Sequence, residues 1–184
     1  MSDLDTMQGV LKERDRLSAI AHERFPHLTK TQKEAIEFIA SQGAMLAHTN
    51  GLTETRYKSF EELVINVGKV SPWHEPPEHI DMLEPGQCYA NALLTARQHD
   101  LTYVEGFAYT IIPTMHAWCE DDQGRVVDPT WDSPSYETID AVLYLGIPMN
   151  LNKVAARVVR QGTYGVLPQG DITLLDGGIE ELML

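Results

Sequence analysis

The chain has 184 residues, 43% of them hydrophobic and 22% charged, the balance of a globular protein with enough length for one sizeable core. Its formal charge of −13 argues against a basic surface that grips nucleic acid or anionic membrane. Two cysteines are too few for a disulfide scaffold, no apolar run is long enough to cross a bilayer, and the charged N-terminus lacks a signal-peptide core, so a cytoplasmic protein with free thiols is expected.

In chain order, "DLDTMQGVLKERDRLSAIAHERF" spaces Leu4, Met7, Val10, Leu11, Leu17 and Ile20 as a helix that Pro26 ends. Thr31 with Glu34 reads as a capping box opening a second helix that runs to Gly43. Ser59 with Glu62 repeats the signal before "ELVINVG", and "AHTNGLTETRYK" between them reads as loop. The four prolines of "VSPWHEPPEHIDMLEPG" forbid a regular element there. After Gly86, "QCYANALLTARQHD" is built of helix formers, with Ala90, Leu93, Leu94 and Ala96 as its apolar face. From residue 101 the texture changes to β-branched and aromatic residues in "LTYVEGFAYTII", "MHAWCE", "RVVDPT" and "AVLYLGI", four successive strands expected to pair antiparallel. "NKVAARVVRQ" makes one more helix, and the tail beyond "QGTYGVLPQGD" looks irregular. Helices followed by a sheet predict an α+β fold, with an N-terminal helical region and proline-rich connection over 1–80 packed on a core over 81–184.

The hairpin between "MHAWCE" and "RVVDPT" bears on chemistry. A three-residue loop of "DDQ" sets His116 directly opposite Asp128, and one of "DQG" offsets them by a diagonal step; in both they share a sheet face. A two-residue "QG" loop would put them on opposite faces. A carboxylate beside an imidazole fixes its tautomer and stabilises its protonated form, leaving the other ring nitrogen to take a proton from a nucleophile. Cys88, at the expected start of a helix behind "EPG", is the candidate nucleophile, because unpaired backbone N–H groups and the helix dipole favour a thiolate and a developing oxyanion.

"GQCYANAL", "HAW" and "VVDPTW", in this order, closely resemble the transglutaminase-like branch of the papain-like cysteine enzymes. The resemblance covers residues 86 to about 147, roughly a third of the chain. It implies a cysteine-bearing helix packed on an antiparallel sheet, with Cys88 as nucleophile, His116 as general base and acid, and Asp128 as the orienting carboxylate. It also implies an acyl-transfer activity toward a protein, peptide or small amide by hydrolysis, deamidation or transamidation, with no cofactor. Only 27 residues separate Cys88 from His116 and 11 separate His116 from Asp128, which leaves little room for substrate-binding insertions. No calcium-site pattern of acidic ligands stands out.

Around this set, Gln87 adjoins the nucleophile, and Trp118 and Trp131 are candidates to line a cleft. Cys119 alternates to the face opposite His116 and reads as core, while Glu105 reads as a solvated strand residue. His74, Glu75, Glu78 and His79 are conceivable metal ligands, but their prolines forbid the helical spacing that brings two histidines together, so no metal is expected. Hydrolysis is favoured slightly over transamidation, because an open site in water needs special exclusion to prefer an amine. The rival is a transglutaminase-like binding or regulatory module that retains the fold without turnover.

Overall fold

In a computed structural model the described residues are 3–52, 54–131 and 141–184. Helix α1 (Asp3–Arg24) and helix α2 (Lys30–Asn50) form a hairpin, α3 (Phe60–Val67) crosses it, and a short strand β1 (Lys69–Ser71) follows. Helix α4 (Cys88–His99) precedes β2 (Thr102–Tyr109), β3 (Pro113–Glu120), β4 (Val126–Val127) and β5 (Leu143–Met149). Helix α5 (Leu151–Gln161) and three 3₁₀ segments close the chain. The fold is mixed α and β, with an antiparallel sheet in the order β1-β5-β2-β3-β4.

The capping box of α2 is Thr29 with Gln32, two residues before the expected pair, and both reciprocal bonds are made (3.2 and 3.1 Å). The helix also runs through Gly43 to Asn50 and ends at Gly51, so part of the expected loop is helical. Gly43 serves close packing rather than termination: a Cβ there would lie 2.8 Å from the Glu61 Cβ of α3. The Ser59 cap of α3 lies where the sequence places it. At the other end of α3, Arg24 donates to the carbonyls of Ile65 and Gly68, tying α1 to the start of β1. Only the second half of α1 is in the core; Leu17 and Ala21 are buried while Leu4, Met7 and Leu11 are exposed.

Two apolar layers flank the sheet. The larger holds Leu17, Ile36, Ile39, Leu63 and Val64 from the first helices together with Ala92, Tyr103, Cys119, Leu145 and Met149, so α1–α3 and α4 share one core with the outer face of the sheet. The boundary expected at residue 80 separates β1 from the strand it pairs with, β5. The smaller layer lies on the inner face: Val104, Ala108, Trp118, Val126, Val142 and Tyr144, with Trp73 and Trp131 against it. The sheet curls around this layer until its two edges meet, where Val126 N donates to the Pro72 carbonyl (3.0 Å).

Strand β1, hidden from the sequence reading by the adjoining proline, is thus an edge that helps close the curl. The tail, which looked irregular, docks: Leu174, Leu175 and Ile179 are buried, Met183 bridges to Met149, and Tyr57 N bonds the Leu175 carbonyl (2.9 Å). No helix among the described residues is long and apolar enough to cross a membrane.

The inner layer depends on two facing glycines, Gly106 in β2 and Gly146 in β5. A Cβ at Gly146 would lie 2.4 Å from Trp118 Cη2 and 2.8 Å from the Glu105 carbonyl oxygen. Gly146→Ala should therefore lower stability by about 1–3 kcal/mol through overpacking. Gly9→Ala, in α1 with open space around it, should raise stability by up to about 1 kcal/mol. Urea midpoints of the two variants against the parent check both signs.

Candidate active site

The segment "EPGQC" makes the turn that launches α4. Gly86 has φ +83, the left-handed conformation that a Pro-Gly type II turn requires at its third position. Gln87 is the N-cap and Cys88 the first helical residue, half-buried, with Asn91 N making the first intrahelical bond to the Gln87 carbonyl (2.9 Å). The N–H groups of Cys88, Tyr89 and Ala90 lie ahead of that bond, at the positive end of the helix dipole. Gln87 is exposed and its side chain makes no cap bond.

His116 and Asp128 come from the hairpin. The register pairs Cys119 with Val127 and Glu120 with Val126, which is the diagonal arrangement with Asp122, Gln123 and Gly124 as the loop. Gly124 is left-handed (φ +73), and the turn is closed by Asp121 N to the Arg125 carbonyl and Gly124 N to the Asp121 carbonyl, both 3.0 Å. Side chains of His116 and Asp128 then meet: Nε2 and Oδ2 are 2.7 Å apart, with both residues at 2% exposure or less.

Asp128 is fully engaged. Its Oδ2 also accepts from the Tyr144 hydroxyl (2.9 Å), and its Oδ1 accepts from Thr130 N (2.8 Å) and Trp131 N (3.1 Å). Tyr144 was not singled out from the sequence; its only signal was its place in an expected strand. The Trp131 indole stacks on the imidazole at 4.1 Å between ring centres and 20° between planes, which favours a cationic ring. Trp118 does not line a cleft as expected. It is fully buried in the inner layer, because the glycine at 146 leaves room for its ring there.

Strand β4 stops at Val127, so the position facing His116 falls beyond it and the β3 edge is left open to α4. The buried Asn91 of α4 ties this junction, donating through Nδ2 to the Glu84 carbonyl (2.8 Å) and to Thr130 Oγ1 (3.1 Å), while Leu83 N bonds the Pro129 carbonyl (2.7 Å). One turn before Asn91, the Cys88 thiol lies near enough to His116 to favour the charged form of its ring. With Nε2 committed to Asp128, Nδ1 is the nitrogen left for the thiol. This ring assignment is the reverse of the one in serine-protease triads.

Burial works against a charge on His116. The hydrogen bonds from Asp128 and Cys88, and the charges of both, outweigh it and raise the imidazole from 6.5 to about 9. The arrangement can hold a thiolate–imidazolium pair and deliver a proton through Nδ1.

Other candidates lie elsewhere. Cys119 is buried on the outer face, its Sγ donates to the Ala92 carbonyl (3.2 Å), and burial pushes its thiol far up. Both cysteines are free. His74 Nδ1 is paired with the Glu75 carbonyl (2.7 Å), and His79 packs against His99 with ring centres 5.5 Å apart. Among the described residues no group of three His, Cys, Asp or Glu could hold a metal ion. Glu105, read as solvated, is fully buried.

Because the folded state raises the His116 pKa, its contribution to stability is complete below about pH 6.5 and is lost as pH rises through about 9. Histidine-selective NMR titration should find His116 still protonated at pH 8, and Asp128→Asn should move its midpoint down by at least about one unit, worth about 1.4 kcal/mol. An unchanged midpoint in the variant would show that Asp128 does not hold the imidazolium. Compared with protein-family models, with curated proteins and with solved structures, the chain matches none.

Proposed function

We propose that this chain is a thiol-dependent acyl-transfer enzyme of the transglutaminase-like kind, acting on an amide or related acyl carbonyl, and that α4 on the curled sheet is its papain-like core. The observation that carries the reading is the buried His116–Asp128 pair beside a helix-start cysteine that favours the charged imidazole. A binding module has no need of an acceptor-saturated aspartate, an oriented imidazole and a half-buried thiol in one place.

In the proposed reaction the Cys88 thiol gives its proton to His116 Nδ1, and the thiolate adds to the substrate carbonyl carbon. The carbonyl π pair moves onto oxygen, where the unpaired N–H groups at the start of α4 stabilise the oxyanion. As the tetrahedral adduct collapses, the C–N bond breaks and His116 protonates the departing amine. The resulting thioester is cleaved by water, with His116 now accepting the water's proton, and Cys88 is regenerated. An amine in place of water gives transamidation. Asp128 holds the ring orientation and stabilises the imidazolium throughout, without itself taking a proton.

The first test is the pH dependence of Cys88 alkylation, followed by peptide mass spectrometry with Cys119 as internal control. Cys88 should label at mildly acidic pH in the parent protein and lose that acidic limb in His116→Ala. Labelling confined to alkaline pH and indifferent to His116 would defeat the proposal. A screen of amide substrates for ammonia or amine release should then find turnover that Cys88→Ala lowers by about a thousandfold or more. Adding hydroxylamine separates the two outcomes of the thioester: hydroxamate formation at the expense of acid marks an acceptor site for amines.

A further inference from the structure

The mechanism leaves unused a second buried carboxylate. Glu105 lies in β2 on the outer face of the sheet at 0% exposure. Its Oε1 accepts from the Tyr103 hydroxyl (2.8 Å), both oxygens lie within reach of Val166 N (2.8 and 2.9 Å), and Oε2 accepts from Leu167 N (2.8 Å). Burial raises its pKa against these hydrogen bonds and the nearby Arg157 charge. A strand near the middle of the chain thereby grips two successive backbone amides of the C-terminal tail.

What the gripped turn touches points to its purpose. Immediately before it, Gly165 runs against the Tyr89 ring so closely that a Cβ there would lie 3.0 Å from Cδ1. Tyr89 follows Cys88 in the first turn of α4 and is half-buried in the large core. Burial, then the charges of Glu105 and Cys88, drive its phenol far above the ordinary range, so both groups act on the same ring. Glu105 is therefore linked through residues 165–167 to Tyr89, the chain neighbour of Cys88 in the first turn of α4.

We propose that Glu105 is a positioning residue for the nucleophile: by pinning Gly165–Leu167 against Tyr89 it fixes the first turn of α4, and with it the place of the Cys88 thiol relative to His116. The proposal rests on the thiol-enzyme reading above. A carboxylate suits the task because it only accepts, and three donors converge on it. A glutamine of the same shape would turn an NH₂ group toward one of those donors.

The test compares the parent protein with Glu105→Gln, Tyr89→Leu and Ile39→Ala, the last a destabilised variant of α2 that is no partner of Glu105 or Gly165. The rate of Cys88 alkylation by iodoacetamide is followed from pH 5 to 10, alongside melting temperature. Glu105→Gln and Tyr89→Leu should each slow Cys88 labelling at neutral pH by at least about tenfold and move the profile to higher pH, since small displacements of reacting groups carry such penalties. Ile39→Ala should melt earlier and keep the parent profile. If Glu105→Gln does not fold, Tyr89→Leu decides. Parent-like Cys88 profiles in the clamp variants, or a loss in Ile39→Ala as large as theirs, would overturn the positioning role. A parent profile that is itself alkaline and insensitive to His116→Ala would fail earlier, at the thiol-enzyme reading.

Discussion

A carboxylate shut away from water must be matched by donors, and Asp128 is matched by four. They come from three places: the His116 imidazole on β3, the Tyr144 hydroxyl on β5, and the backbone of Thr130 and Trp131 just past β4. Satisfying this one group fixes the end of β4, the ring orientation of His116 and the closeness of β5 to β3 across the inner face. Tyr144 can reach Asp128 only because the sheet curls, since β2 and β3 lie between β5 and β4. The curl is accommodated by the glycine pair at 106 and 146: Gly146 leaves room for the Trp118 ring on the inner face, and Gly106 lets the β5 backbone come close. Loss of one donor would leave the rest of the set poorly served, which is why such buried networks act as units.

Much of this was legible in the chain. The change from helical spacing to β-branched runs near residue 101 marks the α+β order, and the loop alternatives around Gly124 included the register that forms. The His116–Asp128 contact follows from side-chain alternation plus a three-residue loop, both local rules. What was not legible has a common cause. Thr29 rather than Thr31 caps α2 because several polar residues compete there, and tertiary bonds such as Gln32 Nε2 to the Val142 carbonyl (2.7 Å) settle the choice. Tyr144 and Glu105 act through partners 16 and 61 residues away, respectively. No local pattern distinguishes Glu105 from a solvated strand residue, because only the folded tail supplies its donors.

Asp128, just past β4, is thus buried on the inner side of the sheet and Glu105 of β2 on its outer side, with different assignments. Asp128 on the inner side organises the imidazole, and Glu105 on the outer side organises the tail. They reach the Cys88 region by different routes, one through His116 and the other through Tyr89. Neither route passes through a loop insertion, which fits a chain with only 27 residues between Cys88 and His116. With so short a span between them, Cys88 and His116 are fixed relative to each other through the core itself.

The distance between thiol and imidazole is therefore a packing quantity. Cys88 rides on a helix and His116 on a strand, and their separation follows from how closely α4 lies on the sheet. Ala92 and Ala96 present the smallest available side chains to that interface, and Cys119 on β3 bonds directly to the Ala92 carbonyl at 3.2 Å. A larger residue at any of these three positions would push α4 outward, and a close-packed interior would pass that shift to the helix start rather than absorb it. The buried Cys119, chemically silent by its own environment, consequently bears on the reactivity of Cys88. Core composition under α4 and the reactivity of the thiol at its N-terminus are one constraint, so substitutions at Ala92, Ala96 and Cys119 are expected to alter the reactivity of Cys88 before they unfold the chain.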